Sequence, residues 1–304
     1  MKAIVLDPSA PRNFRFADVA APAPAAPNEL LIEVKAISLN FGEVATTDNA
    51  ERAGDIPGWD SAGVVLVPAA DGSGPPAGTR VVGAGWSQAW AQQRVLRSDN
   101  VAILPDAVDF ETAAALSVAG VTAVQIVRRL GAVIGRRVLI TGASGGVGRL
   151  AVQLAARAGA HVVAVVGSVA RGAGLRELGA DEVVVGLDGV DPVYGVLEHV
   201  GGTMLADAYA LLEDGGVVIS VGAASGRPTT IDFEAERMTL LLKRIETFMT
   251  AWPLGPDLQY VVGLAAKGQL DAQVGYRDSW DNFGAAIDAI LGRKVAGKVA
   301  LTVH

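Results

Sequence analysis

No cysteine occurs among the 304 residues of this chain, which excludes disulfides, thiolate zinc sites, iron–sulfur clusters and a cysteine nucleophile. Histidine is nearly as scarce, with His161, His199 and His304 far apart in sequence. His161 opens a run that reads as a buried strand, so neither a histidine-built metal site nor a catalytic histidine is expected. Blocks of like charge are also missing, although the net charge is −7. Without a basic stripe to neutralise phosphates, nucleic acid is not an expected partner. No apolar run reaches the roughly 18 residues of a membrane span. The longest candidate, Ala113 to Val127, is broken by Ser117, Thr122 and Gln125. Lys2–Leu6 reads as a strand rather than a signal peptide. These absences lead to the expectation of a cytoplasmic protein with no membrane partner and a small-molecule substrate.

What is present is a large apolar share, 51% hydrophobic against 19% charged, enough to bury a sizeable core. The length suits two domains. The most informative stretch is Val138–Thr141, a β-branched apolar run that ends in the glycine-rich turn Gly142–Gly148. An apolar-periodic helix begins at once, through Val147, Leu150, Ala151, Leu154 and Ala158. In that context Gly145 lets the backbone approach a pyrophosphate, Gly148 lets the helix pack close to the strand, and the free N–H groups favour negative charge. Ala143 stands where the pattern normally opens with glycine, so the motif reads A-x-G-x-x-G. Ala143, Ser144, Gly145, Gly146, Val147 and Gly148 are therefore candidate dinucleotide contacts.

The first 110 or so residues show short strands separated by Pro, Gly and Asp turns, at Leu30–Ile37, Ala62–Val67, Thr79–Val82 and Ala91–Val95. This predicts a small, mostly antiparallel, barrel-like domain. From about residue 112 the pattern becomes β-α-β alternation. A helix at Thr112–Leu130 precedes Val138–Thr141, the helix after Gly146 and the strand His161–Val166. A further helix is predicted to end at Gly179, followed by Glu182–Val185, Tyr194–Glu198, a helix through Leu212, and Val217–Val221. Such alternation predicts a doubly wound parallel sheet. Beyond Leu258 come a helix, a polar turn segment, the helix Asp281–Leu291 and the strand Lys298–Val303, which is expected to return to the first domain.

The end of the second sheet strand discriminates between the nicotinamide dinucleotides. NAD sites place Asp or Glu there to accept from the ribose hydroxyls. Here the strand ends at Val166 and continues through Ser168 to Arg171. A hydroxyl and a guanidinium suit a 2′-phosphate, so NADPH is the expected cofactor, although Arg171 alone also reads as a solvated helix charge.

Several segments in order resemble one family. Ser38–Glu43 is similar to an L-N-F-x-D/E segment, and Ile56–Gly63 to a P-G-x-E-x-x-G turn. Gly120–Ala123 resembles a G-L-T-A helix element, Leu178–Asp181 an L-G-A-D turn, and Gly297–Val299 a closing G-K-V strand. With the glycine loop, they resemble the medium-chain dehydrogenase/reductase superfamily in its zinc-free quinone oxidoreductase and enoyl reductase branch. The resemblance implies an α/β protein with a GroES-like β-barrel domain (residues 1–115 and 258–304, discontinuous) and a Rossmann doubly wound parallel-sheet domain that binds NADPH (residues 116–257). It implies hydride delivery from NADPH, without metal, to a quinone or to the C=C bond of an α,β-unsaturated carbonyl. Two alternatives stand beside this: a pathway-specific enoyl reductase acting on a carrier-bound or polyketide-like intermediate, and a non-catalytic NADPH-binding sensor or structural protein.

The same resemblance assigns roles. Zinc-dependent members carry Cys and His at positions that are here Asn40 and Trp59, which agrees with a metal-free mechanism. Without a metal, fixed donors must stabilise the developing enolate, and the Asn40 amide is the first candidate; it also reads as a turn residue. Glu43 either orients Asn40, relays a proton or is a surface carboxylate. None of Tyr194, Tyr209, Tyr260 and Tyr276 lies in the barrel's motif segments, so no acid is assigned. Thr122 contacts the cofactor or is a buried helix threonine, and Lys298 meets the pyrophosphate or is an exposed strand-end lysine. Gly222 and Phe248 correspond to parts flanking the nicotinamide ring, Phe248 reading equally as core. Phe41, Trp59, Trp86, Trp90 and Trp252 are candidate pocket residues, tryptophan being also good barrel filler. The loop Thr46–Asp55 is shorter than the family's and bears on how open that pocket is. The strand near Arg244–Thr250 is expected at a sheet edge, and an exposed apolar edge leads to the expectation of a homodimer.

Overall fold

The computed structural model describes residues 1–45 and 52–304. Most of the loop Thr46–Asp55 therefore lies outside the described residues. The chain forms two compact units, Met1–Val121 with Ala251–His304, and Thr122–Thr250.

The first unit begins with the hairpin β1 (Lys2–Leu6) and β2 (Phe14–Asp18). It continues through β3 (Glu29–Leu39), the short α1 (Phe41–Ala45), β4 (Asp60–Val67), β5 (Arg80–Ala84), β6 (Gln93–Arg97) and β7 (Val101–Ile103). β3 is the organising strand. It pairs antiparallel with β4 over most of its length and with β6 over its first half, and its second half receives a strand from the far end of the chain. Both faces of β3 are therefore largely buried, which explains its near-continuous apolar run. The core holds Ile4, Phe14, Leu30, Ile32, Ile37 and Trp90, with the Phe14 and Trp90 rings 5.3 Å apart.

α2 (Phe110–Arg129) passes from the first unit to the second. Its length and apolar composition match those of a membrane span, but most of it is buried within the protein, Ser117 and Thr122 included. The second unit contains β8 (Arg137–Ile140), α3 (Gly146–Arg157), β9 (His161–Val166), β10 (Glu182–Val185), β11 (Val193–Glu198), α4 (Thr203–Ala210), β12 (Leu212–Ser220), α5 (Phe233–Met238) and β13 (Arg244–Thr247). The parallel sheet runs β10-β9-β8-β11-β12-β13, with β13 at its edge. Consecutive strands build outward from β8 in one direction, then the order jumps back to β11. The carboxyl ends of β8 and β11 therefore flank the switch point where open α/β sheets bind ligands.

Three expectations are corrected here. The helix predicted to end at Gly179 is a single 3-10 turn, Val169–Gly172, followed by turns, because Gly174 takes φ +77° and ends any helical run. The helix predicted through Leu212 stops at Ala210, and Leu212 opens β12. The polar turn segment contains a strand.

The chain returns to the first unit through α6 (Gly255–Ala266), β14 (Val274–Ser279), α7 (Phe283–Leu291) and β15 (Lys298–Thr302). β15 lies between β14 and β3, antiparallel to β3, so its expected return to the barrel is realised.

Candidate functional site

In the second unit the glycine loop joins the end of β8 to α3. Gly142 takes φ +58°, and the Ala143 N–H donates to Val165 O at 3.1 Å, tying the loop to β9. A Cβ on Gly148 would stand 2.4 Å from Gly142 O and 2.7 Å from Ala143 Cα, so only glycine allows the helix to start this close to the loop. Gly145 caps α3 and offers no side-chain acceptor to the helix N–H groups. With Gly145, Gly146 and Val147 half-exposed, this cradle fits an anionic pyrophosphate.

Ser144 and Arg171 meet at the loop. The Arg171 Nε donates to the buried Ser144 Oγ at 2.9 Å, which brings a guanidinium from beyond β9 onto the glycine turn. Ser168 is exposed just past Val166. Gly222 follows β12, where a Cβ would lie 3.0 Å from His199 O. Phe248 is half-buried past the end of β13, with the Arg129 guanidinium 5.5 Å from its ring centre, and Thr122 is buried within α2.

Three residues at the switch point escaped the sequence reading. Thr141 Oγ1 donates to Glu198 Oε1 at 2.9 Å and accepts from the His199 backbone N–H. Glu198 also accepts from the N–H groups of Val200 and Gly201, and burial raises its pKa. The His199 Nδ1 lies 2.9 Å from Thr141 O; a carbonyl only accepts, so Nδ1 carries the hydrogen. Burial pulls this imidazole down to about 4, and its Nε2 is buried with no partner. A Cβ on Gly142 would lie 3.4 Å from the His199 Cβ.

In the first unit Asn40 sits between the end of β3 and α1. Its Nδ2 donates to Asp60 Oδ2 at 2.8 Å, and its Oδ1 accepts from Lys298 Nζ at 2.6 Å. Lys298 Nζ also faces Asp60 Oδ2 at 3.3 Å and Leu39 O at 3.4 Å. Its three hydrogens are thereby matched by three acceptors inside the barrel. With only 3% of its surface exposed, Lys298 is neither the exposed strand-end lysine nor a free pyrophosphate contact. Asp60 is fully buried and accepts in addition from the Val118 N–H of α2 at 2.8 Å.

Glu43 is buried too, not a surface carboxylate. Its two oxygens accept from the backbone N–H groups of Asn40 (2.5 Å) and Trp59 (2.6 Å), tying α1 to the turn before β4. Burial, and then the charge of Asp60, push its carboxyl up to about 8. Arg94 is 1% exposed and donates to Trp59 O, Ser61 Oγ and Ser87 O, and burial pulls it down to about 10. Beside the Lys298–Asp60 pair, Glu43 is thus an acid pushed towards its neutral form. Asp60 and Arg94 went unassigned in the sequence. The signal was there for Arg94, because strand alternation in β6 sets it on the same buried face as Leu96.

Trp59, Trp86 and Trp252 form an aromatic strip. The Trp59 and Trp86 rings are 5.5 Å apart edge to face, and those of Trp86 and Trp252 5.6 Å. Trp86 is 52% exposed, so this is a surface platform and not barrel filler. Gly42 makes room for it, since a Cβ there would lie 3.0 Å from Trp59 Cη2. A cavity of about 70 Å³ lined by Gly42, Glu43, Gly58 and Trp59 adjoins the strip. It is well short of the roughly 300–1,000 Å³ of small-molecule pockets. Phe41 opens α1, half-open to solvent, with the Arg293 guanidinium 5.6 Å from its ring centre. Among the described residues, no three His, Cys, Asp or Glu side chains come together so as to hold a metal ion.

Residues 146–267 match the family model of the zinc-binding dehydrogenases. The quinone oxidoreductase of Coxiella burnetii superposes with a TM-score of 0.89 at 25% identity, covering 100% of this chain and 99% of that one. The chain belongs to the medium-chain dehydrogenase/reductase superfamily. Its likeness lies with the superfamily's quinone-oxidoreductase-like branch. This superfamily member also shares its fold with the Escherichia coli quinone oxidoreductase complexed with NADPH, at a TM-score of 0.86 and 22% identity over 99% of this chain and 100% of that one. Among curated relatives, the human synaptic vesicle membrane protein VAT-1 homolog is 31% identical over 224 residues, 68% of this chain and 56% of that protein. Erythronolide synthase EryA2 of Saccharopolyspora erythraea is 31% identical over 291 residues, 90% of this chain and 8% of the synthase. The chain thus spans about half the length of the first of these relatives and a small part of the second.

Proposed function

We propose that this protein is an NADPH-dependent, metal-free oxidoreductase that delivers hydride to a quinone or to the C=C bond of an α,β-unsaturated carbonyl. The observation that carries the reading is the Arg171–Ser144 hydrogen bond, which brings a guanidinium onto the glycine loop from beyond a strand, β9, that ends without the acid of an NAD site. The quinone oxidoreductases of the same fold, one of them complexed with NADPH, support it.

When bound, NADPH would supply the hydride, and the chain would hold the cofactor and the acceptor. The glycine cradle and the uncapped start of α3 would hold the pyrophosphate, and Ser144, Ser168 and Arg171 would hold the 2′-phosphate. Gly222 and Phe248 would lie on the nicotinamide side of that site. The tryptophan strip and Phe41 receive the flat acceptor on its apolar faces. The Asn40 Nδ2 donates to the oxygen on which negative charge develops. Glu43 fixes the backbone that carries Asn40. The proton that completes reduction comes from solvent.

The likeness to erythronolide synthase EryA2 over 90% of the chain supports a second reading, in which the acceptor is a carrier-bound enoyl group at the same site. We also propose a homodimer formed through β13. That strand lies at the sheet edge, and Met238, Leu240, Leu242 and Met249 around it are each more than two-thirds exposed. The test is titration with NADPH and NADH, followed by oxidation of the bound cofactor with free quinones, enones and an enoyl thioester. Selective NADPH binding with turnover is expected, and the acceptor oxidised fastest separates the two readings. Binding of neither cofactor refutes the assignment.

A further inference from the structure

Lys298 and Asp60 take no part in the chemistry just described, yet both are buried against Asn40. An amide side chain has two faces that differ only in which end is oxygen, and its orientation is normally set by the partners around it. At Asn40 the partners leave one choice. An ammonium can only donate, so the end facing Lys298 Nζ at 2.6 Å must be Oδ1. The other end must then be Nδ2, and it donates to Asp60 Oδ2 at 2.8 Å, the same oxygen that faces Lys298 Nζ. Lys298 and Asp60 are themselves 3.3 Å apart, so reversing the amide would break both contacts at once and set two like-natured groups face to face on each side. One Nδ2 hydrogen is then spent on Asp60, and the other points away from that pair, on a residue that is half-open to solvent.

We propose that the Lys298–Asp60 pair is a positioning device for catalysis. It holds the Asn40 amide in the single orientation that presents an N–H to the acceptor's developing oxyanion, and Lys298 strengthens that donor by withdrawing electron density through Oδ1. This rests on the reductase reading given above. It also gives the last barrel strand a role in the reaction and not in cofactor binding. Hydrogen bonds in series reinforce one another in a low-dielectric site, so an ammonium on the carbonyl end makes the amide hydrogen a better donor. The same pairing explains why two charged groups, 3% and 0% exposed at the side chain, are kept inside an apolar barrel where a hydrophobic pair of similar volume would be no less stable.

The experiment compares Lys298→Met, Lys298→Arg, Asn40→Ala and the double variant Asn40→Ala/Lys298→Met, each measured for kcat, KM and NADPH Kd. Lys298→Met is expected to lower kcat at least tenfold while NADPH Kd stays within twofold, and Lys298→Arg to recover part of the loss. The double variant is expected to be no slower than Asn40→Ala alone, because the lysine acts only through the amide. Losses that multiply overturn the proposal, as does a weakened NADPH Kd with kcat intact, which would return Lys298 to the cofactor. Should Lys298→Met fail to fold, Asp60→Asn/Lys298→Met removes both charges together and is measured in its place. The Asn40 side-chain ¹⁵N–¹H resonances, identified by their loss in Asn40→Ala, supply a readout independent of turnover. They are expected to be two distinct, non-averaging proton lines that move when the lysine is lost, and no movement overturns the proposal. A wild-type protein that reduces no acceptor, with those lines still responsive to Lys298, overturns the reductase reading instead.

Discussion

Replacing Gly148 with alanine tests the closest approach in the nucleotide unit. The added Cβ meets Gly142 O at 2.4 Å, Ala143 Cα at 2.7 Å and Ala143 C at 2.9 Å, all backbone atoms that cannot swing aside. Restoring ordinary contact distances requires the loop and the first turn of α3 to separate by about 1 Å. Overpacking of this kind costs about 1–3 kcal/mol, which lowers Tm on the order of 3–10 °C for a unit of this size. The displaced loop also no longer presents its N–H groups together, so NADPH Kd is expected to rise at least about tenfold, a loss near 1.4 kcal/mol. Gly145→Ala is the control. Its Cβ would meet only Gly142 O, at 3.3 Å, so stability is expected to change by no more than about 0.5 kcal/mol while NADPH binding still weakens through the methyl placed in the cradle. Differential scanning calorimetry and fluorescence titration measure both quantities on the same samples. If Gly148→Ala leaves Tm and NADPH Kd unchanged, the reasoning from close approach is wrong.

Arg171→Ala is expected to weaken NADPH by about 10- to 100-fold and leave NADH unchanged, since a hydrogen bond to a charged group is worth about 1.5–3 kcal/mol; equal losses for both cofactors would refute the 2′-phosphate assignment. Glu43 keeps its proton in the folded protein up to about pH 8 but loses it near pH 4.5 when unfolded. Folding therefore binds a proton within that window, so the wild type should lose stability relative to Glu43→Gln as pH rises from about 5 to 8 and then level off; parallel Tm curves would count against the buried acid. Trp86→Ala, at an exposed ring, should raise KM for flat acceptors with little change in Tm, whereas Trp90→Ala, fully buried, should cost about 3–5 kcal/mol; the reverse pattern would remove the platform.

What could be read from the chain divides by sequence distance. The strand, glycine turn and helix around Gly142–Gly148 lie within one local unit, and their order alone exposes the loop. Arg171 is a nearby case, because only the path of β9 is needed to bring it back to Ser144. The predicted helix before Gly179 failed because the apolar spacing there was outweighed by Gly172 and Gly174, whose backbone freedom favours turns. The Asn40 environment was legible only in part. Its own segment and the Pro57–Gly58 turn were recognisable, but Lys298 is 258 residues away and Asp60 reads as an ordinary turn acid until the barrel closes around it. His199 was set aside because histidines far apart in sequence suggest no cluster. The structure puts it at the switch point through its bond to Thr141, a strand away.

The position of β15 beside β3 has a consequence in time. Asn40, Glu43 and Asp60 leave the ribosome long before Lys298, and at about 5–20 residues per second the gap is roughly 10–50 s. During that interval the nascent barrel holds its acidic groups without their ammonium and leaves half of β3 unpaired. The parallel sheet of the second unit, whose strands all lie between residues 137 and 247, can be complete by then. The second unit can thus be complete while the surroundings of Asn40 still wait for β15, so the two units mature in sequence and not together.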